Sequence, residues 1–197
     1  VLHVIGQVVP GGSEKMTLRV ADEFRIRGDD HRVLSIGEID RGFVDSVDAA
    51  GVPIDQLGAE DRGPLATLRA LRMLSDQVDR FGPDLIQGHA WRSSVAAGLV
   101  GRMKRVPALA TLHRIYYERL ERISDRALQH LWQSVIVDSG AVKDLLEERL
   151  GFSGGRVRVI PNFVSESLFG IEAEAPAQSP VRILMAAHVT EGKGQRF

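Results

Sequence analysis

The chain contains no cysteine, and this absence excludes disulfide bonds, thiolate metal sites and a cysteine nucleophile. It contains no apolar run approaching about 18 residues, so the sequence predicts no transmembrane helix. It also lacks an excess of either charge, since 25 Lys and Arg accompany 26 Asp and Glu among 197 residues. A sequence pI near 6.7 argues against a general nucleic-acid-binding protein, because such proteins are usually strongly basic.

The remaining composition is ordinary for a globular protein, with 44% hydrophobic and 26% charged residues. Domains commonly hold roughly 100–200 residues, so this length corresponds to one full domain and part of a second. The chain begins on a strand-like apolar run with no charged leader. We therefore expect a cytoplasmic location, with or without membrane association.

Short apolar runs alternate with helical patterns along most of the chain. Eight runs have the near-continuous apolar character of strands buried in a parallel sheet: 1–5, 31–36, 52–57, 84–89, 107–113, 134–139, 156–161 and 181–187. Helical spacing predicts helices over 14–27, 64–81, 92–104 and 140–150. This alternation predicts an α/β fold, a Rossmann-like open and mostly parallel sheet with helices on both faces. Ligands of such sheets bind beyond the carboxyl ends of the strands, where the strand order reverses.

The composition changes at residues 165–180, which contain three acidic and no basic residues and are rich in alanine and proline. We interpret this segment as a linker between two domains. Residues 1–164 would form the first domain. Residues 181–197 would form only the first strand and loop of a second, and one strand with a loop cannot form a core.

Glycines mark the first turn between a strand and a helix, at residues 6–14. Free N–H groups and the helix dipole favour an anion at such a turn. The P-loop pattern fails because Gly12 stands where lysine is required, and the dinucleotide pattern fails because Val8 stands where glycine is required. Two interpretations stay open: a phosphate-binding loop of another kind, or a flexible turn that binds nothing.

Histidines end two of the predicted strands. His89 and His113 could face the ligand crevice as hydrogen-bonding or pH-sensitive groups, or could simply pair with a neighbouring carbonyl. Neither has a carboxylate or third histidine at ligand spacing, so no metal site is predicted. Ser139 follows a strand without the pattern of a nucleophilic serine. Lys193 stands in a glycine-flanked loop, which suits a phosphate.

A basic segment spans residues 91–130, with eight Lys or Arg and three acidic residues, a net charge of +5. It could receive an anionic lipid surface or a phosphorylated acceptor. A solvated helix face is the favoured interpretation.

Taken in order, these segments resemble the family 4 retaining glycosyltransferases of the GT-B architecture. The turn Gly11–Glu14 resembles the family's G-G-x-E turn, and PDLIQGHAW resembles its D-[IV]-[IV]-H-x-H strand. Thr111–His113 resembles T-x-H, and VIVDSGAVKDLL is similar to S-x-x-x-K-x-x-L. RVRVIPNFVSESLF resembles V-I-P-N-G-V-D-x-x-x-F, and MAAHVTEGKGQ resembles G-R-L-x-x-x-K-G. The resemblance covers nearly the whole chain.

The resemblance implies two Rossmann-like domains that face a cleft. The second would hold a nucleoside diphosphate sugar, and the first would supply most of the site for a saccharide or lipid-linked acceptor. Transfer would retain the anomeric configuration and use no metal or other cofactor. His89 would lie beside the transferred sugar as the catalytic residue. The implied donor- or acceptor-binding residues are Gly11, Gly12, Glu14, His113, Ser139, Asn162, His188 and Lys193.

Three positions depart from the family pattern. His188 replaces the usual arginine of the donor side, Phe163 replaces a glycine, and Gly88 replaces an alanine. The family's E-x7-E donor motif is not reached by residue 197, so we expect the chain alone to be inactive. Two alternatives remain. One is a non-catalytic module that binds a glycan, a lipid or a partner through residues 91–130, and the other is a GT-B nucleotide-sugar epimerase.

Overall fold

Seven parallel strands form one sheet in the described part of this computed structural model. The strands are β1 Leu2–Ile5, β2 Arg32–Ser35, β3 Ile54–Gln56, β4 Ile86–His89, β5 Ala108–Leu112, β6 Ser134–Val137 and β7 Val157–Val159. Their order across the sheet is β3-β2-β1-β4-β5-β6-β7. The residues that the structure describes are 1–47, 49, 51–58, 63–113, 128–164, 169, 184 and 185.

Helices connect the strands as crossovers. Among the described residues they are α1 Gly12–Ile26, α2 Arg41–Ser46, α3 Pro64–Phe81, α4 Ala90–Lys104 and α5 Gly140–Asp144. Helix α5 continues into one π-helical turn, Leu145–Arg149, and a 3-10 turn spans Gln129–Leu131.

The helices cover both faces of the sheet. Ile5 and Val33 pack against Leu18 of α1, on one face. On the opposite face, Val4 and Ile86 join a second apolar cluster, which also contains Leu74 and Val78 of α3 and Ala97 and Val100 of α4. Alternate residues of one strand therefore serve different cores, as a parallel sheet buried on both faces requires. The predicted Rossmann-like fold class is confirmed.

Several element boundaries differ from the prediction. Helix α1 begins at Gly12 and α4 at Ala90, so both start two residues before the predicted helices. The short helix α2 is not predicted by the apolar spacing. Its first turn is capped by Asp40, whose side chain accepts from the Phe43 amide at 3.0 Å. For the predicted strand at 181–187 the structure describes only Leu184 and Met185, and neither is in a strand.

The chain divides into two compact units, Val1–Phe163 and Val164–Phe197. The first contains the whole described sheet. The predicted linker at 165–180 and the second-domain residues 181–197 lie almost entirely outside the described residues.

The strand order reverses between β1 and β4. From β1, the chain proceeds through β2 and β3 on one side, and β4 to β7 lie on the other. Two helix N-termini flank this reversal, those of α1 and α4. In open α/β sheets this is the place where ligands bind.

Candidate functional site

The turn between β1 and α1 is shaped by the carboxylate of Glu14. Gly11 is the N-cap of α1 and has extended backbone with φ −168°. A Cβ atom at Gly11 would collide with the Glu14 carboxylate, which folds back over the turn. Ser13 Oγ donates to Glu14 Oε2 at 2.7 Å. The acidic group therefore occupies the space of a side chain at position 11, but it is the end of a flexible side chain that can move aside.

Gly12, the first residue of α1, has open space beside it. A Cβ atom there would meet nothing within 4 Å. The first N–H groups of an α-helix have no partner within the helix, and they carry a partial positive charge. The predicted turn therefore combines open space with hydrogen-bond donors, as anion binding needs.

The turn between β4 and α4 is tightly packed and strained. A Cβ atom at Gly88 would collide with the backbone of Ser94. Ser94 Oγ in turn lies 3.0 Å from the Gly88 carbonyl oxygen and 2.6 Å from that of Ala90. Ala90 itself has φ +63°, which is costly for a residue other than glycine. The backbone of α4 therefore lies against the strand and leaves no room for a side chain at position 88.

The His89 side chain is buried beneath α1, with 5% of its surface exposed. Its Nδ1 lies 3.1 Å from Thr17 Oγ1 on α1, and its Nε2 lies 3.0 Å from His3 Nδ1 on β1. Burial, and then the nearby His113, lower the pKa of His89 to about 3. The ring is therefore neutral at physiological pH, and both its nitrogens have protein partners. Contact with a transferred sugar stays a prediction.

His3 and His31 extend this contact across the sheet. His3 Nε2 lies 2.8 Å from His31 Nδ1, and both side chains are buried. Burial is the main cause that lowers the pKa of each ring, and in His3 the charges of His89 and His31 add to it. Neither residue stands out in the sequence, because each lies within or beside an apolar run. Only the register of the strands brings the three rings together.

A second polar pair lies after the ends of β5 and β6. His113 Nδ1 is 3.4 Å from Asp138 Oδ2, and both side chains are partly exposed. Nearby, Gln87 Nε2 donates to Thr111 Oγ1 at 2.8 Å. Asp138 was not predicted, although an acidic residue directly after a buried strand is the pattern that would have indicated it. An aspartate orients a histidine ring by accepting from one nitrogen, which leaves the other available.

The other described candidate residues also follow strand ends. Ser139 is the N-cap of α5, but its side chain forms no capping hydrogen bond with the helix. Asn162 is exposed three residues after β7. His188 and Lys193 lie outside the described residues. The described residues thus include two glycines, two histidines, Glu14, Ser139 and Asn162 after the carboxyl ends of parallel strands.

Among the residues described, no group of three or more His, Cys, Asp or Glu side chains is arranged so that it could hold a metal ion. No helix in the described ranges is both long and apolar enough to span a membrane. Of the basic segment 91–130, the structure describes 91–113 and 128–130.

The sequence from residue 10 to residue 168 matches the family model of Glycosyltransferase Family 4. The chain belongs to glycosyltransferase family 4. The match extends from the first turn through the V-I-P-N segment and ends before His188 and Lys193. No protein with a curated description matches this family 4 chain.

Solved structures share the fold of this family 4 chain. A glycosyltransferase from Rickettsia africae ESF-5 superposes with a TM-score of 0.72 at 16% identity, covering 86% of this chain and 44% of its own. HepE from Anabaena, in complex with UDP and glucose, has a TM-score of 0.70 at 19% identity, covering 85% and 46%. UDP-GlcNAc 2-epimerase from Neisseria meningitidis, bound to UDP-GlcNAc, has a TM-score of 0.60 at 18% identity, covering 82% and 46%.

The family 4 chain therefore has the fold of the N-terminal half of a GT-B glycosyltransferase. It spans just under half the length of these three proteins. At such low identities the likeness extends to the fold alone, and the fold is shared by transferases and an epimerase.

Proposed function

We propose that the protein containing this chain transfers a sugar from a nucleoside diphosphate sugar to a saccharide or lipid-linked acceptor, with retention of configuration. The chain supplies the acceptor side of the cleft and is inactive alone. One observation carries the proposal: two helix N-termini, of α1 and α4, flank the reversal of strand order in a chain of this family.

The diphosphate is held at these helix ends. The amides of the first turn of each helix donate to phosphate oxygens, and the open space at Gly12 lets the anion approach the backbone. The family resemblance adds Lys193 as a cation for the same group. At the usual arginine position, His188 is a weaker cation, because an unperturbed histidine is mostly neutral at pH 7.

The hydroxyl groups of the two sugars bind to different partners. The Glu14 carboxylate repels a diphosphate but accepts hydrogen bonds from hydroxyl groups. His113 is held by Asp138 at 3.4 Å and offers its second nitrogen to a hydroxyl group. His89, the predicted catalytic residue beside the transferred sugar, also places the first amides of α4, because it directly precedes that helix.

The reaction breaks the bond between the anomeric carbon and the diphosphate oxygen. The acceptor oxygen then bonds to this carbon on the face that the leaving group vacates, through an oxocarbenium-like state, and its proton passes to the departing diphosphate oxygen. Negative charge develops on the diphosphate, so donors already oriented at the helix ends stabilise the transition state more than the ground state. Contact of residues 91–130 with an anionic membrane would place a lipid-linked acceptor near this cleft.

The test combines binding and turnover. We expect UDP, added to the 15N-labelled chain, to shift the amides of residues 11–14 and 90–92. The complete gene product is then assayed with UDP- and GDP-sugars, and we expect release of the nucleotide with glycosylation of an acceptor. Epimerisation of a UDP-sugar without transfer would replace the proposal with the epimerase alternative. Binding of glycans or anionic vesicles without any nucleotide would replace it with the binding module.

A further inference from the structure

Three buried histidines cross the sheet on a diagonal. Val33 of β2 pairs in register with His3, and His3 pairs with Gln87 of β4. His31 precedes Val33 by two residues and His89 follows Gln87 by two, so all three rings lie on the same face of the sheet, under α1. The line of rings runs from the amino edge of the sheet at His31 to the carboxyl edge at His89.

Only one direction of donation makes every contact of Thr17 and the three rings a hydrogen bond at the same time. Thr17 Oγ1 lies 2.9 Å from the Ser13 carbonyl oxygen, which can only accept, so the hydroxyl proton is directed there. The same hydroxyl oxygen therefore accepts from His89 Nδ1–H at 3.1 Å. A neutral imidazole has one N–H, so His89 Nε2 must accept from His3 Nδ1–H at 3.0 Å.

The same logic continues to the other end of the line. Because His3 donates through Nδ1, its Nε2 accepts from His31 Nδ1–H at 2.8 Å. Burial keeps these rings neutral, since it opposes the charged form. His31 is also stacked on Phe24 of α1, with ring centroids 5.2 Å apart. Each end of the line is therefore attached to α1, through Phe24 at one end and Thr17 at the other.

This arrangement restrains the strained turn. Ala90, with φ +63°, directly follows His89 and begins α4. A residue in this region persists only where its surroundings leave no alternative. The packing of Gly88 on Ser94 fixes one side of the turn. The contacts of the two His89 ring nitrogens with Thr17 and His3, which we call the clamp, fix the other side.

We propose that His3, with His31 behind it, is a positioning residue for the turn between β4 and α4. Its Nδ1–H holds the His89 ring against Thr17, and the held ring orients the first amides of α4 toward the cleft. The clamp stands on the geometry alone. Its consequence for ligand binding rests on the proposed function, because those amides are the ones assigned to the diphosphate.

Four variants of the 197-residue chain test this clamp. His3→Leu removes it. His3→Asn keeps a donor near the position of Nδ1. Thr17→Val removes the hydroxyl group that accepts from His89 Nδ1–H. It replaces His3→Leu in the test if that variant does not fold. Val4→Ala is the matched control, since Val4 is buried on the opposite face of the same strand.

The first readout is 15N NMR of the histidine side chains. We expect His3 and His89 to be neutral and protonated at Nδ1 in the wild-type chain. Protonation of either ring at Nε2 would reverse the direction of the contacts and overturn the proposal.

The second readout is the hydrogen-exchange rate of the amides of residues 90–94, divided by the rate for the amides of β6. We expect His3→Leu and Thr17→Val to raise this ratio by at least about fivefold, the effect of losing one hydrogen bond. His3→Asn should stay near wild type, and Val4→Ala should leave the ratio unchanged. Equal ratios in Val4→Ala and His3→Leu, or no rescue by His3→Asn, would overturn the proposal.

UDP titration separates this inference from the proposed function. If UDP shifts the amides of residues 90–92, we expect His3→Leu to weaken its binding by about fivefold or more. Equal UDP affinities in His3→Leu and the wild type would overturn the link from the clamp to the ligand. If UDP shifts no amide of the wild-type chain, the assignment of the diphosphate to these helix ends fails, while the protonation and exchange measurements still decide whether His3 holds the turn, and transfer by the complete gene product still decides the proposed function.

Discussion

The glycines at positions 11, 12 and 88 differ in what surrounds them. At Gly11 the Glu14 carboxylate fills the space of a side chain, and at Gly88 the Ser94 backbone does so. At Gly12 the space is empty. Gly88 therefore serves the fold, because backbone atoms cannot move aside as the end of the Glu14 side chain can, whereas Gly12 is the one that a bound ligand would explain.

Substitution by alanine should separate these roles. We predict that Gly88→Ala lowers the free energy of unfolding by about 1–3 kcal/mol, the usual cost of overpacking. Gly12→Ala, on the helix, should leave this energy unchanged or raise it by up to about 1 kcal/mol. Urea unfolding of both variants measures the difference. Equal midpoints would contradict the packing seen at Gly88.

The buried histidines should make stability depend on pH. Burial lowers the pKa values of His3, His31 and His89 below the ordinary 6.5, so the unfolded chain binds more protons than the folded chain. Stability is then full above pH 6.5 and falls as the pH drops. Between pH 6.5 and its own lowered pKa, each histidine contributes a slope of up to roughly 1.4 kcal/mol per pH unit.

Neighbouring charges modify this expectation at the two ends of the line. Around His31, the amino terminus and Arg25 lower the pKa, whereas Asp29 and Asp30 raise it. His113 adds to the lowering at His89. We predict that the free energy of unfolding, measured by urea, is lower at pH 5.5 than at pH 7.5, with most of the loss below pH 6.5, and that the loss is smaller in His3→Asn. The same stability at both pH values would contradict the burial of neutral rings.

The sequence predicted which residues lie at the strand ends, but it did not predict which side chains they contact. The sequence places His89 and His113 at strand ends, and both are there. It does not indicate that His89 turns under α1, because its partners His3 and Thr17 are 86 and 72 residues away. Such contacts depend on strand register, which apolar runs do not encode in detail. Asp138 was missed for the same reason, since its partner lies on another strand.

At the scale of elements, α3 shows how far apolar spacing can be trusted. The stripe of 64–81 predicted one helix, and Pro64–Phe81 is that helix. The stripe is not buried along its whole length, however. Leu74 is 1% exposed and Val78 is buried, whereas Leu68 is 65% exposed. The first turns of α3 extend beyond the described core.

Two leucines of α3 should therefore contribute differently to the free energy of unfolding. We predict that Leu74→Ala lowers the free energy of unfolding by about 2–5 kcal/mol, because it leaves a cavity in the core. Leu68→Ala has the same chemistry at an exposed position and should change it by less than about 0.5 kcal/mol. Urea unfolding compares the two. A large effect at Leu68 would mean that another part of the protein covers it.

The long helices could be predicted from their apolar spacing, whereas the short helical segments could not. Helices α1, α3 and α4 have 15, 18 and 15 residues, enough for their apolar spacing to show. Helix α2 has six residues and depends on one capping aspartate, Asp40. The π-helical turn after α5 likewise changes the spacing over only five residues.

At the scale of the whole molecule, strand order determines where the site lies. The reversal between β1 and β4 places the α1 and α4 N-termini on either side of one point. The alternation of strands and helices predicted the parallel sheet, and the order of motifs predicted the family that the sequence match confirms. The choice of sugar could not be predicted, because the resemblance to the family implies that donor recognition lies in a second domain.

The most direct measurement is sugar transfer by the complete gene product, supplied with UDP- and GDP-sugars and a mixture of glycan and lipid-linked acceptors. We predict a glycosylated product with the donor's anomeric configuration and one nucleoside diphosphate released per transfer. A bulky side chain in Gly12→Val should reduce the rate without unfolding the protein. A UDP-sugar that is epimerised but never transferred, or a complete absence of nucleotide release, would contradict the proposed glycosyltransferase.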